Sequence, residues 1–218
     1  MPVDLAVGDN TSGNNGLTEL KREKVWDPVT RLWHWALVAA VVTGWSLGEF
    51  MTFSTIDWHF YAGYCVLGLI VFRLFWGLVG PAPVRLRALL PGIYDTVNYV
   101  RHIRARQPSG TPGHNPLGAL SVIAMLVVML AQASTGLFVE SDNFFESGPL
   151  AYLVTDATSS YLIGWHKLLA KILLALVVLH VSAIIFYLVW KKENLIKPMF
   201  TGWKLVRSKS SADDSAQP

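Results

Sequence analysis

Cysteine is nearly missing from this chain: Cys65 is the only one among 218 residues. Disulfides, covalent c-type haem attachment and thiolate-held iron–sulfur clusters are thereby excluded, so any redox cofactor has to be held noncovalently. Charge is scarce as well. Asp, Glu, Lys and Arg make up 15% of the residues against 52% hydrophobic ones. With a mean hydropathy of +0.39, this balance suits a lipid bilayer better than water. The N-terminus has no basic segment running into a small-residue cleavage site, so no removable leader is expected. Internal repeats are lacking, and residues 51–58 and 140–160 contain no Lys or Arg.

Four apolar segments stand out, near 31–50, 59–79, 117–139 and 161–190. Each can cross a hydrocarbon core of about 30 Å, which takes roughly 20 residues. Basic residues precede the first segment (Lys21, Arg22, Lys24), separate the second from the third (Arg85, Arg87, Arg101, Arg104, Arg106) and follow the fourth (Lys191, Lys192, Lys197, Lys204, Arg207, Lys209). The other two loops and their adjoining helix ends carry Glu49, Asp57, Glu140, Asp142, Glu146 and Asp156. The positive-inside rule then puts both termini and the central loop in the cytoplasm. The expected fold is all-α, an integral membrane four-helix bundle over residues 25–206, with disordered cytoplasmic tails over 1–24 and 207–218. The net charge of +3 hides this asymmetry, because nearly all the basic charge lies on one side, where anionic lipid head groups would attract it, and no nucleic acid is expected as a partner. Ile93, Val97 and Val100 recur at helical spacing beside Arg101 and Arg104, which suggests a short amphipathic helix, either on the membrane surface or solvated.

Four of the six histidines fall in or at the edges of the apolar segments, where an ionisable side chain is a functional hypothesis by default. His166 and His180 are separated by about 21 Å of helical rise and lie about 40° short of four whole turns apart. They share a face at opposite membrane depths. His34, near the cytoplasmic start of the first segment, matches the depth of His180, and His59, near the outer start of the second, matches His166. Each pair can clamp an iron porphyrin axially, giving two haem b sites, one in each half of the bilayer. A single histidine at a helix end would read as an interfacial hydrogen-bonding group; four at complementary depths favour ligation. A histidine-lined transition-metal transporter is the rival from another class. A shared structural zinc is not, because the pairs are too far apart. His114, in Gly113-His114-Asn115-Pro116, is the rival ligand for the cytoplasmic haem; Asn115 can cap the following helix and Pro116 suits its first turn. His102 reads as a solvated loop residue.

Arg73 follows His59 by about 21 Å of helix on the same face. It is either a haem propionate partner or a side chain snorkelling to the interface. Lys167 and Lys171 could neutralise propionate or substrate charge near the outer surface, although Lys167, like Arg31, also suits plain anchoring. Gly63, one turn after His59, would let a flat macrocycle approach the backbone, whereas Gly44, Gly68 and Gly136 read as close helix packing. Trp33, Trp35, Trp58, Trp165 and Trp190 read as interfacial belts, and Trp165 could also line a quinone site.

Five stretches, KVWDPVTRLWHWALV, HFYAGYCVLGLIVFRLFWGLVGP, GHNPLGAL, WHKLLAKILLALVVLHV and KKENLIKPMFTGWK, resemble the bacterial cytochrome b561 and nickel-hydrogenase b-type cytochrome family over roughly residues 24–204. The resemblance implies a multi-pass diheme protein of the bacterial inner membrane, with His34 and His180 holding the cytoplasmic-side haem and His59 and His166 the periplasmic-side one. It implies electron transfer between the quinone pool and a periplasmic partner, either a c-type cytochrome or a dehydrogenase subunit. The alternative within the family is the cytochrome b anchor subunit of a hydrogenase-like complex. No motif chooses between them, and no quinone-site residue is carried over.

Overall fold

The computed structural model describes residues 20–103, 113–141 and 146–207. The expectations for Arg104, Arg106, Asp142, Lys209 and most of both tails lie outside the described residues.

Helices dominate: α1 (Pro28–Glu49), α2 (Ile56–Val79), α3 (Ile93–Arg101), α4 (Pro116–Gly136), α5 (Asp156–Val189) and α6 (Ile196–Thr201). Two short antiparallel ribbons join them, β1 (Leu20–Lys24) with β4 (Trp203–Arg207) and β2 (Glu140–Ser141) with β3 (Glu146–Ser147). Residues 20–24 and 207, assigned above to the tails, therefore pair as strands, Leu20 opposite Arg207 and Lys24 opposite Trp203. Pairing of segments so far apart in sequence depends on what the bundle brings together, which neither segment's composition carries.

Among the described residues three helices are long and apolar enough to cross a membrane, α2 with 24 residues, α4 with 21 and α5 with 34. α1 has 22 residues and so a length of about 33 Å, but Arg31, His34 and its tryptophans make it less apolar than the other three. α5, at about 51 Å, outruns the hydrocarbon core and has to tilt or project beyond it. It begins five residues earlier than the apolar pattern suggested, because Thr155 caps it: its hydroxyl accepts from the Thr158 amide at 3.3 Å.

Two of the other long helices, α1 and α4, also start on side-chain caps, whereas α2 has none. Asp27 accepts from the Thr30 amide at 3.0 Å, with Pro28 in the first turn of α1. Asn115 accepts from the Gly118 amide at 2.8 Å, with Pro116 in the first turn of α4. The core of the bundle is Leu37 of α1, Ile70 of α2 and Leu126 and Met129 of α4, enclosed by Trp33, Val41, Val66 and Leu173 among others. The Trp33 indole donates to the Leu69 carbonyl at 2.7 Å, tying α1 to α2. α5 packs along α4, and α2 along α1 and α4, but α5 has no extended backbone packing against α1 or α2.

The β1–β4 ribbon, α3 and α6 gather at one end of the bundle, here the terminal end; the β2–β3 ribbon marks the far end. Val25, Trp26 and Val84 are buried together at the terminal end. The Gly202 carbonyl accepts from the Val25 amide at 2.8 Å. Gly202 has φ +83° and an added Cβ would stand 2.7 Å from the Trp26 carbonyl, so glycine is required there. Lys204 and Glu193 form a buried ion pair at 2.9 Å. The expected amphipathic helix is α3, which holds on by the Tyr99 hydroxyl, bonded to that of Tyr187 on α5, and leaves Ile93 and Tyr94 exposed.

Candidate functional site

The helices bring His59 and His166 together at one end, and His34, His180 and His114 within electrostatic reach of one another at the other. His59, in the first turn of α2, and His166, in the third turn of α5, face each other at the far end with ring centroids 6.1 Å apart and planes at 80°. His34 on α1 lies within electrostatic reach of His180 on α5 at the terminal end. α5 thus turns one imidazole towards α2 and another towards α1, without extended backbone packing against either.

Neighbouring helices fix the far pair. The Nδ1–H of His59 donates to the Gly44 carbonyl of α1 at 3.0 Å. The Nδ1–H of His166 donates to the Gln132 carbonyl of α4 at 3.0 Å, with the Thr135 hydroxyl oxygen at 3.2 Å. Each Nε2 is thereby left as the unprotonated ring nitrogen; that of His166 is met by the Gln132 amide at 3.0 Å. Gly48 and Gly136 make room, since an added Cβ at either would stand 3.0 Å from the Cε1 of His59 and His166 respectively. Gly136, read above as a helix-packing glycine, therefore packs on an imidazole, while Gly44 does meet the neighbouring helix, its added Cβ lying 3.6 Å from that of Ala62.

At the terminal end Arg73 is buried, only 5% exposed, so it does not snorkel to water. Its Nη2 donates to the Val84 carbonyl at 2.9 Å, and its guanidinium sits 5.7 Å from the Trp33 ring. Among the described residues its Nη1 has no partner, and neither has the buried Nδ1 of His34. His114 shares this pocket, its ring 4.8 Å from that of Trp26. Burial, followed by the charges of Arg73, His180, Lys204 and His34, pushes it down to about 4, so it is neutral near pH 7. Lys167 and Lys171 are exposed. Trp165 lines a shallow groove with Ser160, Tyr161, Gly164 and Leu168. Added Cβ atoms at Gly63 and Gly68 meet nothing within 4 Å.

Gln132 and Thr135 escaped the sequence reading because α4 supplies no histidine. A lone amide inside an apolar helix was the available signal, since intramembrane polar groups pair with something. Imidazoles facing each other from separate helices, a glycine-thinned wall and a buried cation with an unpaired donor fit a flat, metal-centred group bearing carboxylates.

An apolar helical bundle with such a site, and without thiols for covalent attachment, defines a membrane cytochrome of the b type. The chain belongs to the prokaryotic cytochrome b561 family, whose model matches residues 25–202. It is similar to the probable Ni/Fe-hydrogenase 1 B-type cytochrome subunit of Escherichia coli (strain K12), 23% identical with 83% of this chain and 89% of that protein covered. The probable Ni/Fe-hydrogenase B-type cytochrome subunit of Azotobacter vinelandii is 24% identical, with 93% and 98% covered. No solved structure matches. Family membership makes this a membrane protein of electron transport that uses haem b.

Proposed function

We propose that the chain is a four-helix, diheme electron relay of the bacterial inner membrane, with α1 as the fourth span and both termini cytoplasmic. His34 and His180 would hold the terminal-end haem b, His59 and His166 the far-end one. The observation that carries this reading is the facing of His59 and His166 at 6.1 Å from helices without extended backbone packing against each other. When bound, haem b supplies a one-electron couple. The chain's residues orient the imidazoles through Nδ1, exclude water with apolar helices and place charge near the ligands. Arg73 is the favoured propionate partner because its buried Nη1 is unpaired; Lys167, at the depth of His166 but exposed, is the second candidate.

For the partner, the names of the relatives favour the anchor subunit and electron outlet of a hydrogenase-like complex over stand-alone exchange with a periplasmic c-type cytochrome. Quinone is the proposed membrane-side partner in both cases. The acidic far-end residues Glu49, Asp57 and Glu140 suit a basic docking face. To test this, the tagged chain would be purified from its native membranes in mild detergent. A co-purifying hydrogenase, with an α-band that hydrogen reduces and a soluble quinone reoxidises, is the expected result. An α-band that quinol reduces and hydrogen does not would replace the hydrogenase reading with the stand-alone one.

A further inference from the structure

We infer that the chain holds its two imidazole pairs at unequal donor strength, giving the far-end haem the lower midpoint potential and the terminal-end haem the higher. This rests on the ligand assignment proposed above. At the far end both Nδ1–H groups are aimed at main-chain carbonyls, Gly44 and Gln132, each at 3.0 Å, and Thr135 adds a hydroxyl oxygen at 3.2 Å. An imidazole that donates in this way is a more basic, more electron-rich ligand and favours the oxidised metal. At the terminal end, by contrast, the buried Nδ1 of His34 has no acceptor among the described residues, which leaves that imidazole the weaker donor.

Charge acts in the same direction. Arg73 is a buried cation stacked near Trp33, the residue beside His34, and a cation in a low-dielectric setting stabilises an added electron. Two acids bear on this pocket. Asp27 acts on Arg73 but spends its carboxylate on the Thr30 amide and hydroxyl, at 3.0 and 2.6 Å. Glu193 is taken up by Lys204 at 2.9 Å. At the far end the acids Glu49, Asp57, Glu140 and Asp156 are exposed at or beside helix ends, where solvent and salt screen them, and neither Lys167 nor Lys171 of α5 is among the charges that act on His59 or His166. Arg73 is therefore a tuning residue for the terminal-end site, and the Gly44 and Gln132 carbonyls set the far one.

The test is a potentiometric titration of the purified holoprotein, followed at the haem α-band, for wild type, His59→Ala, Arg73→Gln and Arg73→Lys. Two waves are expected in the wild type, and His59→Ala should keep the upper one. Arg73→Gln should lower the upper wave by at least threefold in its reduction equilibrium, about 28 mV at 59 mV per decade, while Arg73→Lys stays near wild type. Retention of the lower wave in His59→Ala would overturn the inference, as would an Arg73→Gln titration superimposable on wild type. If His59→Ala fails to assemble, the Arg73 pair decides alone. A wild-type chain without haem would instead sink the ligand assignment itself.

Discussion

Gly136→Ala should selectively loosen the far-end site. An added Cβ at this position would stand 3.0 Å from Cε1 of His166 and 3.4 Å from its Nδ1. Ordinary contact begins near 3.4 Å, so the ring has to retreat by about 0.4 Å or tilt. Retreat stretches the Nδ1 bond to the Gln132 carbonyl, now 3.0 Å, towards the length at which a hydrogen bond loses most of its value. Overpacking of this kind costs about 1–3 kcal/mol, which corresponds to roughly a 5- to 140-fold loss in haem affinity. The assay is haem b per chain by pyridine haemochrome after expression at limiting haem supply. Gly136→Ala should bind less than wild type, and Gly136→Val should keep only the terminal-end haem. Gly164→Ala, where an added Cβ meets nothing within 4 Å, is the matched control. A Gly136→Val protein with wild-type haem content would refute the placement of His166 against α4.

Three further outcomes follow from the caps and the terminal-end cluster. Asp27→Ala removes the acceptor for the Thr30 amide and hydroxyl and should cost about 1 kcal/mol, read as a lower Tm in detergent that Asp27→Asn largely restores. Burial raises the Asp27 carboxyl, but the hydrogen bonds from Thr30 outweigh it and hold the group below its ordinary value. The cap is accordingly at full strength above about pH 4 and weakens as pH falls through the folded value. His114 shows the opposite proton balance: folded at about 4 and ordinarily 6.5, it binds its proton more readily in the unfolded chain. Its stabilisation is complete above about pH 6.5 and is lost as pH falls towards 4, by up to about 3 kcal/mol; His114→Gln should flatten that slope in thermal scans. Glu193→Gln leaves the Lys204 ammonium buried without its carboxylate and should destabilise the terminal end by about 3 kcal/mol, seen as faster proteolysis after Lys204. An unchanged cleavage rate would contradict the buried-pair reading.

The meeting of His59 with His166 was legible because helical rise is fixed: the spacing of His166 and His180 translates directly into distance along α5, and His59 lies near the start of its own helix. The caps at Asn115 and Pro116 were legible for the same local reason. Contacts that depend on helix rotation and on which helices adjoin were not. The roles of the Gly44 and Gln132 carbonyls involve main-chain atoms, which any residue would supply. The function of Gly136 as a wall for His166 differs from helix packing only once α4 and α5 are placed side by side. Arg73 could be put at the right depth from the sequence, but its burial and unpaired Nη1 required the turn at Val84 that folds back over it. The β1–β4 ribbon was invisible because it joins two segments that lie at opposite ends of the chain.

The most direct measurement is the number of haem b groups per purified chain, from the dithionite-reduced minus oxidised spectrum with a pyridine haemochrome assay, in wild type and in His34→Ala and His59→Ala. Two haems in the wild type and one in each variant are predicted. A stoichiometrically pure chain that binds one haem or none under ample haem supply, or that keeps both after loss of either histidine, would contradict the paired-imidazole account.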